Sequence, residues 1–221
     1  MDNPVADFHI HSGYSHDALM SPESIVRRAK KTGLSAVAIT DHNTIQGGIR
    51  AQKPGKRAGV EIIVGAEVKT DSGDITGLCL NQEIKSAEWS SVIDEIRSQG
   101  GIVVLPHPYR DHEIPEEIAR AVDFVEVWNS RCTPKENDNA ALLADRLGKK
   151  AIFGSDAHCP AEIGLVKVKV DPVSFEMKEV ITTSYTSPWN VRKSRIISHA
   201  KRHEFRTLLE KGAGFLWKKI A

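Results

Sequence analysis

Ala36-Val-Ala-Ile-Thr-Asp-His42 is apolar at its start and polar at its end. A near-continuous apolar run with branched side chains suits a strand buried on both faces, as in a parallel sheet. The same pattern recurs on either side. Upstream, Phe8–His11 is a short strand that ends in histidine. Ser21 then caps a helix with Pro22 at its first position and Glu23 in its first turn, and Gly33 closes it. Downstream, a helix starts near Thr44 and Val60–Val64 is the next strand. Asp71-Ser-Gly-Asp74 is a turn signal, so Lys69–Leu80 reads as a hairpin. Trp89–Ser98 is helical and stops at Gly100-Gly101. Ile102–Leu105 is a strand, Glu116–Ala121 a helix and Phe124–Trp128 a strand. Thr133-Pro-Lys-Glu136 opens a helix with a capping box, closed at Gly148, and Ala151–Phe153 is the last clear strand.

This alternation predicts an α/β fold with a parallel sheet, either doubly wound or closed into a barrel. The polar residues decide between them. They sit at the C-terminal ends of many different strands, whereas an open sheet offers one crevice at its switch point. A barrel gathers every strand end around one mouth, so a barrel is expected.

At 221 residues, 40% hydrophobic and 27% charged, the chain suits one large domain with at most a small extension. A net charge of +1 gives no strong overall field for nucleic acid or membrane. No apolar run approaches the roughly 18–20 residues of a membrane span. Three cysteines without CxxC spacing, and a start without a signal peptide, suit a reducing, cytoplasmic setting. One composition shift stands out. From Asn190 to Ala221, nine Lys or Arg against two acids give +7, leaving −6 for the rest. The Ser187-Pro-Trp189 turn therefore divides a catalytic barrel, residues 1–187, from a basic extension, residues 188–221. Phe205, Leu208, Leu209, Phe215 and Leu216 at helical spacing predict that the extension is a helix packed on the barrel.

The strand-end residues are His9, His11, His42, His107 and His158, with Asp17, Glu67 and Asp156. Eight nitrogen and oxygen ligands are too many for one tetrahedral site and about right for two or three ions. His9 and His11 point the same way along a strand, about 6.5–7 Å apart. Asp156 and His158 repeat that spacing. Adjacent residues face oppositely, so His42 is the expected ligand and Asp41 an orienting or structural partner. Glu67 has two oxygens that can serve two ions. His107 lies between two prolines that restrict its backbone.

Asp7-Phe-His-Ile-His11, Thr40-Asp-His42, Gly65-Ala-Glu67, Pro106-His-Pro108 and Gly154-Ser-Asp-Ala-His158 resemble the ordered motifs of the PHP (polymerase and histidinol phosphatase) family of metal-dependent phosphoesterases, over roughly Val5 to Gly164. The resemblance implies a distorted, TIM-like barrel of seven βα units with its metals at the C-terminal ends of the strands. It implies one ion on His9, His11, Glu67 and Asp156, a second on Asp17, His42 and His158, and a third on Glu67 and His107. Two places depart from the family pattern. Ser15-His-Asp17 has one residue more than usual before its acid, with His16 as competitor to Asp17. The third ion's last ligand, a histidine or cysteine in the family, has only Cys132 in its place.

The donor set suits Zn²⁺, Mn²⁺ or Fe²⁺ better than copper. Two such ions about 3.5–4 Å apart lower the pKa of a bridging water, so the expected reaction is attack of metal-bound hydroxide on a phosphomonoester, without a protein nucleophile. A nucleotide or a compound like histidinol phosphate is the expected substrate. Arg110, Arg131 and Lys69 are candidates to bind its phosphate, and His112 a candidate to protonate the leaving group. A nuclease acting on short nucleic-acid ends is the alternative within the family. An amidohydrolase-like C–N hydrolase, or a regulatory domain without catalysis, are the alternatives outside it.

Overall fold

Each apolar run forms a strand, and the strands come together as one curved sheet. The computed structural model describes residues 3–110 and 116–217, and the side chains of the last helix as far as His203. In chain order the elements are β1 (Val5–Ile10), α1 (Pro22–Thr32), β2 (Ala36–His42), α2 (Gln46–Ala58), β3 (Glu61–Thr70), β4 (Gly73–Leu78), α3 (Trp89–Ser98) and β5 (Ile102–Leu105). There follow α4 (Glu116–Ala121), β6 (Phe124–Asn129), α5 (Pro134–Leu147), β7 (Lys150–Gly154), β8 (Val166–Val170), β9 (Met177–Thr183) and α6 (Pro188–Trp217).

The helix boundaries have local causes. Ser21 Oγ accepts from the Ser24 amide at 3.2 Å, and Gly33 ends α1 in the left-handed conformation at φ 83°. The capping box of α5 is complete: Thr133 Oγ1 accepts from the Glu136 amide, and Glu136 Oε2 accepts from the Thr133 amide at 2.6 Å.

The strands lie in the order β7-β6-β5-β4-β3-β2-β1-β8-β9. β1, β2 and β3 run parallel, as do β5, β6 and β7, while β4 is antiparallel to both of its neighbours, the expected hairpin. The segment after β7 returns to β1. Ile10 bridges Ala157, the His11 amide donates to the Ala157 carbonyl at 2.8 Å, and the Ser155 amide donates to Asp7 Oδ1 at 2.9 Å. These bonds nearly close β1–β7 into a barrel, the distorted seven-stranded form. Two strands were not foreseen. The reading that ended at Ala151–Phe153 missed β8 and β9, because β8 is buried on only one face, alternating Val with Lys, and β9 is mostly exposed.

Alternate strand residues go to different cores. Ala36, Ala38, Ile63, Leu78, Val104, Phe124 and Ile152 meet on the inner face. Val37 and Ile39 pack on α1 and α2, and Val64, Ala66, Val103, Leu105 and Val125 on α3, α4 and α5. The inner-face parity carries β2 to His42 and β3 to Glu67. Among the described residues no helix is long and apolar enough to cross a membrane.

Two one-residue register shifts aim the strand ends. In β1, Asp7 and Ile10 pair with Val37 and Ile39, so β1 carries one extra residue. Ala6 and Phe8 lie on the inner core, Ile10 faces the helices, and His9 and His11 turn inward. In β6, Glu126 and Trp128 pair with Ile152 and Phe153, and the parity switch brings both Glu126 and Asn129 inward. Gly154 on β7 completes this packing, since a Cβ there would run into His9 Cβ and the Glu126 carboxylate. Gly154→Ala is expected to cost roughly 1–3 kcal/mol, read from urea unfolding of the purified protein. An unchanged midpoint would show that the strands have slack at this point.

Candidate metal centre

At the barrel mouth, four atoms from four inward residues converge. His9 Nε2 and His11 Nε2 are 3.0 Å apart, and Glu67 Oε2 is 3.4 Å from each. Asp156 Oδ1 is 3.2 Å from His11 Nε2 and 3.6 Å from His9 Nε2. Asp17 Oδ2 gathers a second group, 3.2 Å from His42 Nε2 and 2.9 Å from His158 Nε2. Glu67 joins the groups: Oε2 is 3.2 Å from His42 Nδ1, while Oε1 turns away to His107 Nε2 at 2.8 Å. All eight expected residues thus lie in one connected cluster, and Asp17 rather than His16 faces its interior, His16 being 4.0 Å from that carboxylate.

The other ring nitrogens are held from behind. His9 Nδ1 donates to Glu126 Oε1 at 3.0 Å, His11 Nδ1 to Ser15 Oγ at 3.0 Å, and His158 Nδ1 to the Asp156 carbonyl at 2.8 Å. Those bonds fix the tautomers and leave the Nε2 lone pairs facing inward. Ser15 Oγ in turn donates to Asp41 Oδ1 at 2.9 Å, and Asp41 also accepts from the Ser12 amide and hydroxyl. Asp41 therefore orients His11 through Ser15. His107 at φ 26° and Asp156 at φ 52° are non-glycine residues with left-handed backbones, conformations kept only where surroundings enforce them.

His11 Nε2 and Asp156 Oδ1 are then two acceptors facing each other across 3.2 Å. Asp156 Oδ1, Asp17 Oδ1 and His107 Nδ1 are buried without hydrogen-bond partners. Acceptors this close in a dry site require protons or cations among them, so the residues fit divalent ions. Protons meet part of the need. Burial would lower His9, but the Glu126, Asp156 and Glu67 carboxylates hold it well above its ordinary value. Burial opposes His42 as well, yet Glu67 and Asp17 raise it to about 9. His11 is pushed down to about 3 by burial and by His158. Burial works against charge on Glu67, Asp156 and Asp17 too, but their histidine and arginine neighbours hold all three below the usual carboxylate range.

The remaining candidates sit differently. Cys132 is buried and burial raises its thiol; it belongs to none of the ligand groups among the described residues, where Asp74 joins Glu67 and His107 instead. Arg110 reaches the cluster, donating to Asp156 Oδ2 and to His107 Nε2. Arg131 is engaged by both oxygens of buried Glu162, at 2.9 and 3.0 Å, and by Ser194 Oγ at 2.8 Å, so its guanidinium ties the loop after β6 to α6. Lys69 is exposed, two residues beyond Glu67 on the same strand. His112 lies outside the described residues, as do the side chains of Phe205, Leu208, Leu209, Phe215 and Leu216. Sequence reading missed Asp74, Glu126 and Asn129. Glu126, a lone acid in the apolar run Phe124–Trp128, was the available signal. Asn129 Nδ2 donates to Glu126 and to Asp156.

A metal ion entering the cluster must displace the protons on His42 and His9. Affinity for Mn²⁺ or Zn²⁺ should therefore rise with pH up to about 9, the raised value of His42. The expected slope is about tenfold per pH unit for each proton displaced. Calorimetry in buffers of different ionisation enthalpy would count the protons released. Affinity that is flat between about pH 6.5 and 8.5 would refute the protonation pattern.

The family model of the PHP domain matches residues 7–158, and a PHP-associated model matches residues 134–183. An uncharacterized protein of Methanocaldococcus jannaschii is 31% identical over 182 residues, covering 77% of this chain and 72% of its own length. A second one from the same organism is 44% identical over 115 residues, covering 47% of this chain and 67% of its own length. The fold is similar to that of a two-domain protein of Bacteroides vulgatus containing a predicted PHP-like metal-dependent phosphoesterase. There the TM-score is 0.65 at 21% identity, over 76% of this chain and 59% of that one. With a family model matched along most of its length and its strand ends gathered at one mouth, the chain belongs to the PHP domain family.

Proposed function

We propose that the chain is a metal-dependent phosphoric ester hydrolase acting on a phosphomonoester, a nucleotide or a compound like histidinol phosphate. The observation that carries this reading is the division of Glu67. One of its oxygens lies with His9, His11 and His42 and the other with His107, as suits a carboxylate shared by adjacent ions. On this reading His9, His11, Glu67 and Asp156 hold one ion, Asp17, His42 and His158 a second, and Glu67 with His107 contributes to a third. Divalent ions held there, Zn²⁺, Mn²⁺ or Fe²⁺, would supply Lewis-acid activation of water and neutralise phosphate charge. The protein's own residues orient and insulate. Glu126 and Ser15 fix the rings of His9 and His11, and Arg110 balances Asp156. The floor of inner-face apolar residues excludes bulk water from beneath.

Glu67 also weighs against an amidohydrolase-like C–N hydrolase, where a lysine often bridges. Here the Glu67 carboxylate takes the bridging place, with His9, His11 and His42 at one oxygen and His107 at the other. A nuclease acting on short nucleic-acid ends remains the second reading, favoured by the basic residues Arg195, Lys201 and Arg202 that α6 brings to cavities beside the mouth. Affinity for oligonucleotides that falls steeply with salt, and is lost on removal of the basic extension, would favour it.

A screen of phosphorylated metabolites with added Mn²⁺ or Zn²⁺ tests the proposal. His9→Ala and Asp156→Ala are expected to lower the rate by about a thousandfold or more and to reduce bound metal by elemental analysis. Variants that kept normal phosphatase rates would overturn the site assignment.

A further inference from the structure

A cavity of about 280 Å³ opens beside the cluster, bounded by Asp17, His42, Asp156 and His158 on the barrel side and by Val191, Ser194 and Arg195 on α6. Three arginines line it. Arg110 is committed to Asp156 and His107, and Arg131 to Glu162 and Ser194. Arg195 alone of the three has no hydrogen-bond or ion-pair partner among the described residues, and it is exposed. It also lines the adjoining space with Asp17, His199 and Arg202, which follow it on one helix face at i+4 and i+7.

The helix is held in place at two points that bracket this arginine. Ser194, buried next to it, accepts from Arg131. Two turns on, Lys201 Nζ donates to the carbonyls of Gly13, Ser15 and Ala18 at 2.9, 2.7 and 2.7 Å. Those carbonyls belong to the loop that carries Asp17. An uncommitted guanidinium is thus held over a cluster of acids and histidines. Its planar fork of N–H donors suits phosphate oxygens, and it stays charged at every working pH.

We propose that Arg195 binds the phosphoryl oxygens of the substrate, so that α6 forms a wall of the active site and not an appended tail. The identity of the anion rests on the phosphoesterase reading; the anion site itself rests on the cavity and on the lack of another partner for Arg195 among the described residues. Arg131, one of the three phosphate-binding candidates from the sequence, then serves as the tether that positions α6.

The test uses the full chain supplemented with Mn²⁺ and inorganic phosphate as the probe. Calorimetry should show phosphate binding to the wild type, weakened by about tenfold or more in Arg195→Ala and by less in Arg195→Lys. Bound metal and melting temperature should be unchanged in both. For any phosphoester turned over, KM should rise by a similar factor while kcat stays within about threefold. Arg192→Ala, on the same helix but outside this cavity, should behave as wild type. Equal phosphate affinity in wild type and Arg195→Ala overturns the proposal. So does a wild type that binds no phosphate, or an Arg195→Ala variant that loses its metal. Phosphate binding that depends on Arg195 in a protein hydrolysing no phosphoester would uphold the anion site and refute the phosphoesterase reading.

Discussion

A buried carboxylate ringed by histidines is the constraint from which the rest of this structure follows. Glu67 is 1% exposed and faces His9, His11, His42 and His107. An ionised group in that position costs several kcal/mol unless opposite charge surrounds it. The required partners come from strands β1 and β2 and from the loop after β5, so they can meet Glu67 only if the sheet curves back on itself. Closure between Ile10 and Ala157 supplies the last side, with Asp156 and His158. The fold and the cluster are therefore one requirement. An open sheet in this strand order would leave Asp156 and His158, which follow β7, far across the sheet from His9 and His11 on β1.

The price appears in the backbone around the cluster. Two register shifts interrupt the ladders of β1 and β6, and His107 and Asp156 hold left-handed conformations. Each costs local stability and each turns a polar group inward. The compensation comes from behind: Glu126 accepts from His9, from the His107 amide and from Asn129, drawing three parts of the cluster to one carboxylate. Ser15 and Asp41 do the same for His11, with the His42 amide also donating to Ser15.

Much of this was legible in the sequence because the signals are local. The strand-to-histidine pattern of Ala36–His42, the caps at Ser21 and Thr133 and the hairpin at Asp71–Asp74 each depend on residues within a few positions. Given a barrel, position at or just after a strand end brings seven of the eight candidates to one mouth, and Asp17 joins them from the loop between β1 and α1. The bulges were not legible, since the inward turn of His9 past Phe8 follows from pairing with β2 and not from β1 itself. Arg131 shows the same limit. Its place after a strand end suggested a phosphate clamp, and nothing nearby in the chain announced Glu162 or Ser194. β8 and β9 escaped because a half-exposed edge carries a weak apolar signal.

The distances in sequence also separate chemistry from selection. Groups that would hold metal come from strand ends, where the barrel leaves little freedom: moving one ligand breaks the compensation around Glu67. The cavity beside them is walled partly by α6, whose contact with the loop of Asp17 joins Lys201 to residues more than 180 positions earlier. A wall attached through a few side-chain bonds can change without disturbing the cluster. If the barrel's own arginines are spent on Asp156 and Glu162, recognition of substrate passes to this wall. A basic helix is suited to that work. It carries positive charge to the mouth without placing an uncompensated cation in the barrel interior, where Glu67 already has its partners.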